Sequence, residues 1–311
     1  MEIVKKTVRE IKSLKIQGAT NVRKKAIEAL LHSAKKSKTQ NVENFRKEFL
    51  KNSAALFCAR PTEPELRTAI RILRKSISSK KLSLEEMKKK INKIAKNYET
   101  DRKNALKKIS EYGAELIEPN ATILTLCHST SAINAIIAAK KKIKEVYCCE
   151  TRPLYQGRIT AQQLSAAGIK VNLIVDNAAS TVLKKCDYFF TGADAFLADG
   201  DVINKIGTNQ ISGLCKKYDT KHYVFCSTHK FEPASFFGKD EPIEERNAKE
   251  VWEKAPKKIN VLNHAFDRTD SESIEGIVCE MGVFPPQALA SKLYDKLKLE
   301  NSHEDFLHLE K

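Results

Sequence analysis

The sequence predicts an α/β protein: an N-terminal helical domain over residues 1–117, then a Rossmann-like parallel-sheet domain with helices on both faces over residues 118–311. Three observations predict it. Apolar residues recur at helical spacing up to about residue 115. The texture changes after Glu118-Pro119-Asn120. Beyond that point short apolar strands alternate with amphipathic segments, the rhythm that winds into a parallel sheet covered on both faces.

In the first region Ile3, Val4, Val8, Ile11 and Leu14 fall on one helical face. A break follows at Ile16-Gln17-Gly18-Ala19-Thr20, and Asn21 to Leu31 is again amphipathic. Phe45 to Phe57 and Pro64 to Ile77 read as helices, and Ser78-Ser79-Lys80-Lys81 as an exposed turn. Ser83 before Glu85-Glu86 is a helix N-cap signal, for a helix running to about Tyr112. In the second region strands are expected at Ala121–Cys127, Glu145–Glu150, Val171–Asp176, Cys186–Ala193 and His222–Ser227. Helices are expected between them, at Ala132–Ala139, Thr160–Ala167, Ala178–Lys184 and Ile206–Lys217. Ile259–Leu262 and Ile274–Glu280 would add strands, and Gln287–Leu297 a closing helix.

Composition narrows the function. A net charge of +16 raises nucleic acid as a partner. The excess lies in runs such as Lys88-Lys89-Lys90 and Lys140-Lys141-Lys142, without interleaved aromatics, so nucleic acid is disfavoured. A phosphorylated small molecule suits a basic interior equally well. No apolar run approaches the ~20 residues of a membrane helix, and MEIVKKTVREIKSLK lacks the apolar core of a secretory signal. A cytoplasmic location is therefore expected. Eight cysteines without a CxxC pair fit a reduced compartment, and seven histidines without HxxxH spacing predict no metal. The dinucleotide fingerprint GxGxxG is absent, and no cofactor is expected.

The polar residues gather where strands end. Ligands of open α/β sheets bind beyond the carboxyl ends of the strands. Cys127 ends one strand and opens a helix through His128-Ser129; Glu150-Thr151-Arg152-Pro153, Asp176-Asn177, Asp194 and Lys230 follow others. Each has a plain alternative. Cys127 could be a buried strand-end thiol with Ser129 as a cap, and Asp194 a turn residue. Gly18-Ala19-Thr20 could seat a phosphate or simply interrupt a helix. Arg60, held extended by Pro61, could clamp an anion or lie in any loop.

Four segments taken together carry a family resemblance: CHSTSA from Cys127, ETRPLYQGRITAQQL from Glu150, TGADAFLADGDVINKIGTNQ from Thr191 and STHKF from Ser227. They resemble the family uniting ribose 1,5-bisphosphate isomerases, 5-methylthioribose-1-phosphate isomerases and the α/β/δ regulatory subunits of initiation factor 2B. The resemblance extends from Gly18 to about Pro286. The ribose 1,5-bisphosphate branch is the nearest in wording; the other two remain alternatives, the second being a non-catalytic binding subunit. The resemblance implies Cys127 and Asp194 as catalytic residues. It also implies Gln17, Gly18, Ala19, Thr20, Arg60, His128, Ser129, Asn204, Lys205 and Lys230 as substrate contacts. It further implies a sugar bisphosphate substrate, AMP as an activator, and a homo-oligomer built on dimers, up to a hexamer. Asp194 would act as an acid kept protonated by Phe189, Phe190 and Phe196. Gln17 departs from the family's usual Arg, and Asp199 and Asp201 stand where neutral residues are commoner.

Overall fold

The structure, a computed structural model, describes residues 2–60, 62–78 and 82–299; Pro61 and the 79–81 part of the expected turn lie outside them. Five helices come first: α1 (Glu2–Lys12), α2 (Ala19–Lys36), α3 (Val42–Phe57), α4 (Pro64–Lys75) and α5 (Leu84–Leu116). Their apolar faces meet in one core that includes Ile11, Leu30, Phe45, Phe49, Leu56, Ile70 and Ile91. α3 starts earlier than its aromatic residues suggest, because Asn41 caps the amides of Glu43 and Asn44. Ser83 and Glu86 form a reciprocal capping box at the start of α5. That helix serves two cores. Met87, Ile91 and Tyr98 pack among the helices, while Ile109 packs against the sheet.

The second region holds β1 (Ala121–Thr125), α6 (Thr130–Ala138), β2 (Ile143–Cys149), α7 (Gln156–Ala166) and β3 (Val171–Ile174). After them come α8 (Ala179–Val182), β4 (Tyr188–Gly192), β5 (Ala195–Phe196), β6 (Val202–Lys205), α9 (Thr208–Tyr218) and β7 (Lys221–Phe225). β8 (Phe266–Thr269), β9 (Gly276–Cys279), β10 (Gly282–Phe284) and α10 (Pro286–Leu299) complete it. Seven strands form one sheet in the order β10-β9-β7-β4-β1-β2-β3, parallel except for β10. Alternate residues of each strand face opposite layers. Ile123, Phe190 and Phe225 pack toward α5, α6 and α7. Leu124 and Phe189 pack toward α8 and α9, and Val224 and Ile277 pack toward α10. The winding reverses between β1 and β4, whose neighbours in sequence lie on opposite sides. Such a switch point leaves a crevice at the carboxyl ends of the two strands.

A second sheet, β5-β6-β8, is antiparallel and was not visible in the sequence. The expected strand at Ile259–Leu262 is absent. That segment runs irregularly with Ile259 and Leu262 exposed, and β6 pairs instead with β8, Asn204 opposite Asp267. The helix expected from Ile206 begins at Thr208, because Gly207 takes a left-handed φ of 98°. α7 starts at Gln156, ahead of the expected Thr160, and Gly157 explains the close approach. A Cβ there would lie 1.7 Å from the Cys149 carbonyl oxygen at the end of β2. Gly157→Ala is expected to lose about 3 kcal/mol of stability from overpacking, read as a fall of several degrees in Tm by scanning calorimetry; an unchanged Tm would show that α7 can slide freely on β2.

Candidate active site at the sheet switch point

Cys127 lies two residues past β1, and Asp194 two residues past β4. The two strands are hydrogen-bonded neighbours. Gly192 lets the two turns close on each other: a Cβ on it would meet the Ser129 Oγ at 2.7 Å. Ser129 itself caps α6, accepting from the Ala132 amide.

Cys127 occupies the left-handed region, φ 68°, which a non-glycine residue adopts only when its surroundings impose it. Two threonines impose it. The Cys127 amide donates to Thr151 Oγ1 at 2.9 Å, and its carbonyl accepts from Thr160 Oγ1 at 2.7 Å. Asp176 in turn accepts from the amides of Thr151 and Arg152, both at 2.7 Å. Since the Thr160 proton goes to Cys127, the His128 Nδ1, 3.1 Å from the same oxygen, is the donor there. Burial holds His128 below its usual range, hence neutral. Burial pushes the Cys127 thiol up to about 11, with Lys205 pulling the other way and Asp194 adding to the rise. The other buried thiols, such as Cys148 and Cys226, are raised by burial too. Cys127 is set apart by Lys205 and Asp194, which act on it from across the crevice.

The cations converge from three elements. Lys205, on β6, is buried with its ammonium 4.9 Å from the Phe266 ring centre. Lys230 follows β7 and donates to the Ala193 carbonyl, one residue from Asp194. Burial opposes its charge, yet Glu65 and Asp194 hold its pKa above the ordinary value. Arg60 is buried between Glu63 at 3.1 Å and Glu244 at 3.2 Å. Burial works against it as well, and Glu63, Glu244 and Asp194 together keep it raised. Asn204 donates to Thr208 Oγ1, which bonds back to the Lys205 carbonyl, so the β6–α9 turn is tied to itself. Asp267 caps that turn, accepting from the Gly207 and Asn209 amides at 2.7 and 3.2 Å. Burial pushes its carboxyl up to about 6.

One sequence expectation is corrected. Phe189 and Phe190 point into the cores on either face of the sheet, and Phe196 packs against Phe231. The charged groups on which Asp194 acts are Arg60, Glu63 and Lys230. Asp199 and Asp201 do not burden the crevice. Both are paired with Arg268 of β8, and Asp201 also accepts from the Ser271 amide.

The 17–20 turn lies at the start of α2. Gln17, Gly18 and Thr20 are exposed and Ala19 is half-buried. Gly18 has φ 78° and caps α2 without a side-chain bond. The turn is joined to the centre by a charge relay: Arg102 of α5 donates to Thr20 Oγ1 at 2.8 Å and to Glu65. Glu65 also pairs with Arg23 at 3.1 Å and acts on Lys230. Sequence reasoning missed Thr160, Arg102, Glu63, Glu65 and Glu244. Glu63 lies only three residues from its partner Arg60; the others have partners up to 184 residues away, beyond any local pattern.

A doubly wound sheet with a cysteine and an aspartate at its switch point, capped by a helical N-terminal region, defines the class. The chain belongs to the Initiation factor 2 subunit family, whose model matches residues 15–286. It is 37% identical over 304 residues to the ribose 1,5-bisphosphate isomerase of Thermococcus kodakarensis, covering 93% of this chain and 94% of that one. It is 35% identical over 307 residues to a 5-deoxyribose 1-phosphate isomerase of Clostridium botulinum, covering 92% and 88%. Among solved structures, 5-methylthioribose 1-phosphate isomerase from Pyrococcus horikoshii superposes with a TM-score of 0.78 at 29% identity, over 94% of this chain and 88% of that one.

Proposed function

We propose that the protein is an aldose–ketose isomerase that converts α-D-ribose 1,5-bisphosphate to D-ribulose 1,5-bisphosphate. The observation that carries this reading is the pairing of Cys127 and Asp194 across the β1–β4 crevice, with Lys205 acting on the thiol. A sugar 1-phosphate has its anomeric oxygen blocked, so the ring must open by another route. The thiolate of Cys127 takes the proton from C2 as the C1–ring oxygen bond breaks, and Asp194 gives its proton to the ring oxygen. The enol formed then loses its C2 hydroxyl proton to Asp194, while C1 takes back the proton held on Cys127. Both groups end as they began. Positioned acid–base groups of this kind each contribute about 10²–10⁴-fold.

Lys205, Lys230, Arg60, Asn204 and the Cys127–Ser129 turn line the phosphate side, with Gln17 to Thr20 at the outer edge. A 5-phosphate and a 1-phosphate bring up to four negative charges. Such a ligand suits cations that are already buried and need no further desolvation. A cytoplasmic, dimer-based assembly with AMP as activator is part of the same proposal, on the family resemblance alone. One observation favours a second reading, a substrate without the 5-phosphate: Arg60 is already engaged by Glu63 and Glu244. Phosphorus and carbon NMR with ribose 1,5-bisphosphate, 5-deoxyribose 1-phosphate and 5-methylthioribose 1-phosphate separates them. A ketone signal is expected from the bisphosphate with kcat/KM at least about tenfold above the others. Preference for a substrate lacking the 5-phosphate would transfer the assignment, and no ketone from any would leave a binding subunit.

A further inference from the structure

A row of hydrogen bonds crosses three strand ends and finishes on Cys127. Cys127, Thr151 and Asp176 each stand two residues past β1, β2 and β3, and those strands lie side by side in the sheet. Thr151 is left-handed like Cys127, φ 65° against 68°. A β-branched residue at positive φ is an outlier, kept only where its surroundings over-determine it. Asp176 supplies that constraint. Its two carboxylate oxygens accept from the successive amides of Thr151 and Arg152, each at 2.7 Å. The direction of the buried Thr151 hydroxyl is then fixed. Its proton goes to the Cys149 carbonyl at 3.1 Å, which leaves a lone pair for the Cys127 amide at 2.9 Å.

We propose that Asp176 is a positioning residue for the base: by fixing Thr151 it sets where the Cys127 thiol stands against C2 of the sugar. This rests on the isomerase reading for its chemistry, though the tie itself does not. Asp176 moves no proton and touches no reacting atom, because both of its oxygens are engaged by backbone amides. Proton abstraction needs base and carbon about 3–3.5 Å apart and aligned, and a misplacement of about 1 Å can cost about 10²-fold. A thiol on a loosely held turn would lose that geometry. One stitched to the ends of β2 and β3 keeps it.

Two other roles for Asp176 make different predictions. Arg152 lends it only an amide, since the guanidinium bonds the Tyr155 hydroxyl and the Val251 carbonyl, each at 2.9 Å. Pairing with that cation is therefore not its purpose. A purely electrostatic role predicts the opposite sign. The charged groups acting on the thiol are Lys205, which favours the thiolate, and Asp194 and Asp176, which oppose it. Loss of the Asp176 charge alone would ease ionisation of Cys127 and raise turnover. The second tie to Cys127 serves as a control: Thr160 donates to its carbonyl at 2.7 Å by a bond separate from the Asp176 row.

The test has two arms. In substrate-free protein labelled with nitrogen-15 cysteine, the Cys127 amide signal is identified by its loss in Cys127→Ser. It is expected to move in Asp176→Asn, whose amide group turns a donor against one of the two backbone donors. The signals of Cys58, Cys215 and Cys279, on other elements, should stay in place. A Cys127 signal that does not move overturns the tie. The second arm is kinetic. Asp176→Asn should lower kcat about 10–100-fold with KM within about twofold of the wild type. Thr151→Val should lose as much, while Thr151→Ser, which keeps the hydroxyl, should stay within about threefold of the wild type. Asp176→Asn combined with Thr151→Val should lose no more than the worse single change, and combined with Thr160→Val it should lose more. If Asp176→Asn does not fold, Asp176→Ser carries the same expectations, since its hydroxyl can still accept one amide. A kcat unchanged or raised in the folded variant, or a raised KM with kcat preserved, overturns the positioning role. So does a loss in Thr151→Ser as deep as in Thr151→Val. A wild-type protein that isomerises no sugar phosphate overturns the isomerase reading and the kinetic role, while the amide signal still decides the tie.

Discussion

Cys127→Ser is expected to reduce turnover by about 10³-fold or more while leaving the fold intact. The hydroxyl is nearly the size of the thiol but ionises at much higher pH, so no useful base remains at the end of β1. The bonds that hold residue 127 in its left-handed conformation run through its amide and carbonyl, to Thr151 and Thr160. Serine keeps both. The variant should therefore unfold within a few degrees of the wild type by calorimetry while NMR detects almost no ketone. Near-normal turnover in a correctly folded Cys127→Ser protein would remove the thiol from the mechanism.

Asp194→Asn should cost about 10²–10³-fold in kcat, because the amide can neither give a proton to the ring oxygen nor take one from the C2 hydroxyl. Its effect on binding has the opposite sign. Asp194 supports the charges of Arg60 and Lys230, so its loss leaves both cations freer to face phosphate, and KM should stay level or fall. Steady-state kinetics that show a raised KM with kcat preserved would make Asp194 a binding residue instead of the acid.

How much of this was legible in the sequence depends on the range over which each feature is determined. The parallel strands were readable because each is a short apolar run closed by a polar residue, and Ser83 with Glu86 announces α5 within four positions. β6 and β8 were not. Val202–Lys205 is a strand only because Phe266–Thr269 lies beside it, and nothing within either segment states that. Ile259–Leu262 has strand-like composition and no strand to pair with, so its apolar residues stay exposed. Cys127 and Asp194 were visible as strand-end residues. The carboxylates that engage Arg60 beside them were not: Glu63 and Glu244 reach the site from the helical region and from a long loop. A local reading of Arg60 counted a free cation where the fold supplies an engaged one.

The 33 residues of α5 make a rod about 50 Å long at 1.5 Å per residue. One end is anchored among the first four helices, the other against Phe225 and Ala135, where Gly113 leaves no room for a Cβ. Between them Tyr98 stacks on His229 at 4.9 Å, the residue before Lys230. The two halves of the crevice are thus splinted together by one continuous helix. Such a splint stiffens the floor of the crevice. A rigid floor suits a reaction that moves protons and opens one C–O bond of the ring: the carbon skeleton is never cut or transferred, and the geometry that receives the ring must also fit the open chain.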